Sequence, residues 1–384
     1  MPFCRRKCPY CDFYSLTDFE DHKRYIDALI LQMEDYAQAA SPCTVDTIYI
    51  GGGTPSVVSD KLMSNMIDGV YRNFKVFIDA ETTIEANPAT VSLSALKKYR
   101  KLGINRISFG AQSMSDDELN TLGRLHDSHD VSKSFNLARK AGFDNISLDL
   151  MYGIPGQTPA SLQESLNRVI ELDPEHISLY GLSIEPGTQF DQQRDKLDLP
   201  DEETEYSMYE GAIETLCGAG YAQYEISNFA KQGKECQHNM RYWTCGEYLG
   251  IGPGAHSYFN GSRFSFKRDI NAYIEAQEQP ESNIDIIGEN YRIKPKERVG
   301  EHIMLSLRLT RGIDTREFAR LFELDFDKMY GDKIAGYIDG GFMKKTEKGY
   351  AFTTKGMYVS NYILSEMLDF DSEIDRNIAN GTDR

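Results

Sequence analysis

The sequence predicts an α/β protein: a partial (β/α) barrel followed by a smaller, winged-helix-like α+β module. Three observations carry that prediction. Short β-branched runs alternate with longer amphipathic stretches from Val45 to about Tyr180, the pattern of successive βα units around a parallel sheet. Glycines and polar residues collect just beyond the apparent strands, where a barrel gathers its functional loops. After a polar segment, Glu275 to Glu289, the pattern changes to consecutive helices and a hairpin.

Taken in order, the strands of the barrel are expected at Thr47 to Ile50, Thr82 to Glu85, Arg106 to Phe109, Ile146 to Leu150 and His176 to Tyr180. Helical periodicity fills the gaps at Ser59 to Phe74, Ser92 to Leu102, Val131 to Ala141 and Pro159 to Leu172. Ser59 and Ser92 stand where N-caps belong, and Gly103 and Gly142 where helices end. The polar segment Glu275 to Glu289 reads as a linker, dividing a barrel unit over residues 1–275 from a module over 285–368. In that module helices are expected near Arg298 to Arg308, Asp314 to Phe322 and Asp325 to Asp339, and a hairpin at Gly341 to Thr354. Residues 369–384 form a polar tail, expected to fray.

Composition narrows the function classes. A chain of 384 residues with a formal charge of −17 repels the phosphate backbone unless a basic face is segregated, and no long Lys or Arg run supplies one. Residues 285–365 hold 14 Lys/Arg against 12 Asp/Glu, so the winged-helix-like module reads as a packing or docking unit and nucleic acid is not an expected partner. No apolar run of about 18 residues and no signal-peptide h-region is present, so a cytoplasmic place is expected. The seven cysteines are too sparse for a disulfide scaffold. Three of them fall within the first eleven residues.

Cys4, Cys8 and Cys11 are spaced C-x-x-x-C-x-x-C, which allows one short loop to offer three thiolates to three corners of an iron–sulfur cubane. Three ligands leave one iron open for a substrate or cofactor. Zinc is the rival, with His22 or Cys43 as fourth ligand. Downstream, Ile48-Tyr49-Ile50-Gly51-Gly52-Gly53-Thr54-Pro55 runs from a strand into a glycine cluster, either a tight turn or a place where backbone approaches a ligand. Glu85 stands at a strand end, free to bind hydroxyls or to pair with Arg106. Gln112, Arg124 and Asp149 extend the same series, each read alone as a surface hydrogen bond or structural ion pair.

Together, the triad with Tyr10 before its last cysteine and these strand-end residues in this order resemble the radical SAM superfamily, and within it the coproporphyrinogen III dehydrogenase and HemW branch, over nearly the whole chain. The resemblance implies a barrel of the radical SAM type and a [4Fe-4S] cluster on Cys4, Cys8 and Cys11. The open iron would chelate S-adenosylmethionine (SAM), whose one-electron cleavage gives a 5'-deoxyadenosyl radical. Carried over position by position, Tyr10, Gly52, Gly53, Thr54, Glu85, Gln112, Arg124 and Asp149 match SAM contacts, with Gly181 a further match.

Two features divide the branch. The dehydrogenases carry a further cysteine two residues after the triad, whereas Cys11 is followed here by Asp12-Phe13-Tyr14. His238-Asn239-Met240-Arg241-Tyr242-Trp243 matches the H-N-x-x-Y-W motif of the HemW-type haem chaperones. This resemblance implies haem as cargo, His238 and Trp243 as haem-binding residues, and a haem-accepting partner that is soluble or membrane-associated; it identifies no electron donor. Imidazole suits haem iron and aromatic rings pack on porphyrin, but His238 and Trp243 also read as structural residues beside Gly250 to His256. Cys236, Cys245 and His256 stand as further metal or haem ligands. Radical oxidative decarboxylation of coproporphyrinogen III is the enzymatic alternative. The family pattern also places a strand before the triad, whereas this chain opens Met1-Pro2-Phe3-Cys4; an open barrel edge and weaker cluster retention are expected from that.

Overall fold

The computed structural model describes residues 1–368; the polar tail lies outside them. Five strands run parallel in sequence order: β1 (Val45–Ile50), β2 (Val76–Ala86), β3 (Arg106–Gln112), β4 (Ile146–Tyr152) and β5 (His176–Gly181). Two short strands, β6 (Ala222–Gln223) and β7 (Asn228–Ala230), complete a seven-stranded half-barrel, with β7 antiparallel to β5 and β6 outermost.

Alternation along each strand sorts the side chains onto two faces. Ile84, Ile107, Phe109, Leu148, Ile177 and Leu179 form one buried apolar face, packed with Leu96, Phe135, Leu162 and Leu166 of the intervening helices. The opposite, inner face is polar. Register aligns Glu85 with Ser108, Ser108 with Ser147, Ser147 with His176 and Asp149 with Ser178. A buried polar row of this kind needs internal partners, and it has them: the Ser108 hydroxyl donates to Asp149 at 2.9 Å, Ser147 meets His176 at 2.8 Å, and His176 meets the Tyr224 hydroxyl at 2.8 Å.

The helices Asp60–Asn73, Leu93–Lys101, Ser128–Ala141 and Pro159–Leu172 stand where periodicity places them. Ser92 accepts from the Ala95 N–H and Gly142 closes its helix at φ 94°, whereas Ser59 occupies its cap without a side-chain bond.

The expected linker is structured. The helix Ile270–Glu278 runs into it, with Glu278 clamped by Arg24 at 2.9 and 2.6 Å. An antiparallel sheet of β8 (His256–Phe259), β9 (Ser262–Phe266) and β10 (Ile287–Arg292) takes up its end. All six residues of β10 are exposed, so no apolar alternation marked it as a strand.

Beyond lie the helix Pro295–Leu307, β11 (Ile313–Asp314), the helices Thr315–Phe322 and Phe326–Asp339, and the hairpin β12 (Met343–Lys345) and β13 (Gly349–Phe352). The three strands form a sheet in the order β11-β13-β12, a winged-helix-like arrangement. It docks on the barrel through Thr310, whose N–H donates to the Tyr224 carbonyl at 3.1 Å, and through Tyr358, 5.1 Å from Tyr206 and 5.8 Å from Tyr209 between ring centroids. No described helix is long and apolar enough to cross a membrane.

β1 is the terminal strand of the half-barrel. The extended Met1–Cys4 segment pairs with the turn that follows it, the N–H groups of Gly53 and Thr54 donating to Met1 and Phe3 carbonyls at 2.7 and 2.6 Å. The helix Gln237–Trp243 lies against β1, anchored by an Arg241–Asp46 ion pair.

Candidate functional site

The cysteine loop is held at its base. Phe3 is 2% exposed and packs on Phe19, His22 and Tyr25, while the Cys4 N–H donates to the Leu16 carbonyl at 2.9 Å. Cys4, Cys8 and Cys11 are all free and partly exposed. Among the described residues no three His, Cys, Asp or Glu side chains close on a single ion, and in a cubane each thiolate binds its own iron. The two candidates for a zinc ligand are placed elsewhere: the His22 ring stacks on Phe3 at 4.1 Å, and Cys43 is exposed after the helix His22–Ala40.

Around the loop the strand ends supply a cradle. A Cβ at Gly53 would stand 2.7 Å from the Phe3 carbonyl and 3.1 Å from Cys4 Sγ, so only glycine lets the turn pass the loop. Gly52 has φ +112°, and its N–H donates to Glu85 at 3.0 Å. Thr54 Oγ1 lies 3.4 Å from Cys4 Sγ. Arg124 reaches three partners with its terminal nitrogens: Cys8 Sγ at 3.6 Å, the Tyr10 hydroxyl at 3.4 Å and the Gly110 carbonyl at 2.8 Å. Its buried Nε has no partner. A cavity of about 130 Å³ opens here, lined by Cys8, Thr54, Asn87 and Arg124. Gln112 lies at φ 69° after an irregular register, its side chain folded back on Gly110. The glycine passage, the orphaned guanidinium nitrogen and the grouped thiols fit a cluster and a cofactor that carries a carboxylate and hydroxyls.

Glu85 and Asp149 sit deeper. Burial raises the Glu85 carboxyl to about 7, against the pull of the Tyr49 hydroxyl at 2.9 Å and the Gly52 N–H. It pairs with these groups rather than with Arg106. Asp149 is also raised by burial, while Ser178, Ser108 and Ser147 hydroxyls counter that shift. It belongs to the inner polar row, apart from the cysteine loop. Gly181 packs under the Tyr152 hydroxyl, 2.9 Å from where a Cβ would stand.

His238 and Trp243 are on different faces of their helix, five residues or about 140° apart. His238 faces the barrel: Nδ1 lies 2.9 Å from Thr47 Oγ1, Nε2 lies 2.8 Å from the Tyr242 hydroxyl, and the ring stacks on Tyr49 at 5.0 Å. Burial, then Arg106, lowers its pKa to about 4. Trp243 instead lines a second cavity with Cys245 and His302. Cys236 is buried with Sγ 3.5 Å from Glu81, and His256 is exposed at the start of β8. Tyr49, Thr47, Glu81 and His302 were not singled out by the sequence; Tyr49 alone had a signal there, one residue before the end of the strand that enters the glycine turn.

A half-barrel with three loop cysteines beneath a glycine turn defines the class, and the comparisons agree. Residues 1–169 match the model of the radical SAM superfamily and residues 293–359 that of the HemN C-terminal domain. Coproporphyrinogen III oxidase (HemN) from Escherichia coli, described as a radical SAM enzyme, has the same fold: TM-score 0.83 over 96% of this chain and 88% of that one, at 24% identity. The heme chaperone HemW of Bacillus subtilis is 36% identical over 96% of this chain and 97% of its own. That of Lactococcus lactis is 33% identical over 96% of both, and that of Escherichia coli 42% identical over 67% of this chain and 68% of its own. The chain belongs to the HemW family of radical SAM proteins.

Proposed function

We propose that this chain is a haem chaperone that binds haem and delivers it to acceptor proteins, on a scaffold carrying a [4Fe-4S] cluster and SAM. The observation that carries the reading is the 36% identity to a heme chaperone HemW across 96% of the chain. The residue pattern supports it, since Cys11 is followed by Asp12-Phe13-Tyr14, without the further cysteine of the dehydrogenases.

Cys4, Cys8 and Cys11 hold the cluster, which supplies single-electron chemistry to SAM when bound. Arg124 orients the Cys8 thiolate and Tyr10. Gly52, Gly53 and Thr54 bring backbone groups to the cofactor, Glu85 offers a carboxylate for its hydroxyls or ammonium, and Gln112 and Asp149 are further contacts by the family pattern alone. The family motif assigns His238 and Trp243 to the haem side, and of the two Trp243 lines an open cavity. The place of action is the cytoplasm, and the partner is a haem-accepting protein, soluble or membrane-associated.

The test is an anaerobic assay of reconstituted protein with SAM, a reductant and coproporphyrinogen III, beside a hemin-binding measurement. Hemin binding without protoporphyrinogen IX formation is expected. Conversion of the porphyrinogen would replace the chaperone reading with the decarboxylase.

A further inference from the structure

A cavity of about 310 Å³ lies between the end of the helix Gln237–Trp243 and the C-terminal module, within the range of about 300–1,000 Å³ typical of ligand pockets. Trp243, Arg298, His302, Arg311 and Lys348 line it. Three cations, Arg298, Arg311 and Lys348, and three carboxylates, Glu301, Asp314 and Glu317, share its lining, but they are not paired with each other. The wall carboxylates are engaged: Arg263 holds both oxygens of Glu301 at 2.8 and 3.0 Å, Asp314 accepts the N–H groups of Arg316 and Glu317 at 3.0 Å each, and Glu317 lies 3.7 Å from Arg320. Arg298, Arg311 and Lys348 pair with no carboxylate among the described residues. Three unpaired cations around one cavity, in a chain of charge −17, mark a site for a polyanion.

The same wall carries an available imidazole. His302 packs against Phe318 and Phe322, at 6.1 and 5.3 Å between ring centroids, and its ring nitrogens make no hydrogen bond among the described residues. Burial is the main influence lowering its pKa, with Arg298 and Arg311 adding to it against Glu317. The ring is therefore neutral at pH 7, the form that ligates metals. His238 differs in that both of its nitrogens are bonded and its ring is stacked on Tyr49.

We propose that haem is seated in this cavity, with His302 as an axial ligand of the iron, Trp243 as an aromatic wall, and the propionates held by Arg298, Arg311 and Lys348. The inference rests on the haem-chaperone reading and moves the ligand from the family-motif histidine to one outside that motif. Imidazole is a common axial ligand and guanidinium a fitting partner for carboxylate.

Hemin titration of the full chain, read in the Soret band and by electron paramagnetic resonance, tests it. His302→Ala is expected to lose the wild-type spectrum and to regain it with added imidazole; the bulkier His302→Leu, which keeps the packing on Phe318 and Phe322, should lose it too. Arg298→Ala combined with Arg311→Ala should weaken hemin binding about ten-fold while leaving the dimethyl ester of haem, which lacks free propionates, unaffected. If both His302 variants keep the wild-type spectrum and His238→Ala loses it, the seat lies elsewhere and the chaperone reading stands. If the wild-type chain binds no hemin, both fall.

Discussion

Glu85 is a residue whose protonation state the fold shifts beneath the glycine turn. Its carboxyl rises from 4.5 to about 7 because it is buried. The folded chain therefore holds this proton more tightly than the unfolded chain, and the group opposes folding increasingly as pH rises from about 5 to 8. Glu85→Gln is expected to gain about 1–2 kcal/mol over wild type near pH 8 and little near pH 5, the loss of the carboxylate's bonds from Tyr49 and Gly52 offsetting part of the gain. Urea unfolding at the two pH values checks this, and a pH-independent difference would refute it. Cys8→Ala should abolish the cluster absorption and lower the bound iron after anaerobic reconstitution; zinc in place of iron in the wild-type chain would refute the cluster. These cysteines were legible because their ligand logic is local, within eight residues. Tyr49 was not, since its roles depend on Glu85, 36 residues on, and on His238.

At the scale of elements, the helix Gln237–Trp243 is the piece that the sequence left without a place. Its motif was visible, but its position depends on contacts across the fold: Thr47 with His238, 191 residues apart, and the His238 N–H with Glu81 at 3.2 Å. Thr47→Val removes the Nδ1 partner and is expected to cost about 1 kcal/mol and to speed amide exchange selectively over residues 237–243. Unchanged exchange there would show that the other contacts alone hold the helix. The four helices between β1 and β5 were legible to within a few residues because one apolar stripe packs on the sheet, whereas the helices His22–Ala40 and Glu202–Gly218 were not. β2 begins at Val76, ahead of the expected Thr82, because its first residues face solvent: Phe77 is 53% and Ile78 93% exposed. Exposure likewise erases the alternation that identifies a strand in β10, whose first three residues lie in the Glu275–Glu289 segment that the sequence reads as a linker.

For the whole molecule, the C-terminal module is joined to the barrel by aromatic contacts and by the Thr310 N–H on the Tyr224 carbonyl. Tyr358 of the module sits among Tyr206 and Tyr209 of the barrel helix Glu202–Gly218. Tyr358→Ala should destabilise the chain by about 2 kcal/mol and, if the units separate, turn a single thermal transition into two; an unchanged melting curve would show that this contact contributes nothing. The α/β class and the order of the barrel units were legible from periodicity, but the cavity that the C-terminal module closes with Trp243 had no linear trace. The central claim is that the chain carries haem. Titrating the full-length chain with hemin and following the Soret band tests it most directly: a saturable shift with a one-to-one end point is expected, and a spectrum indistinguishable from free hemin at every ratio would contradict it.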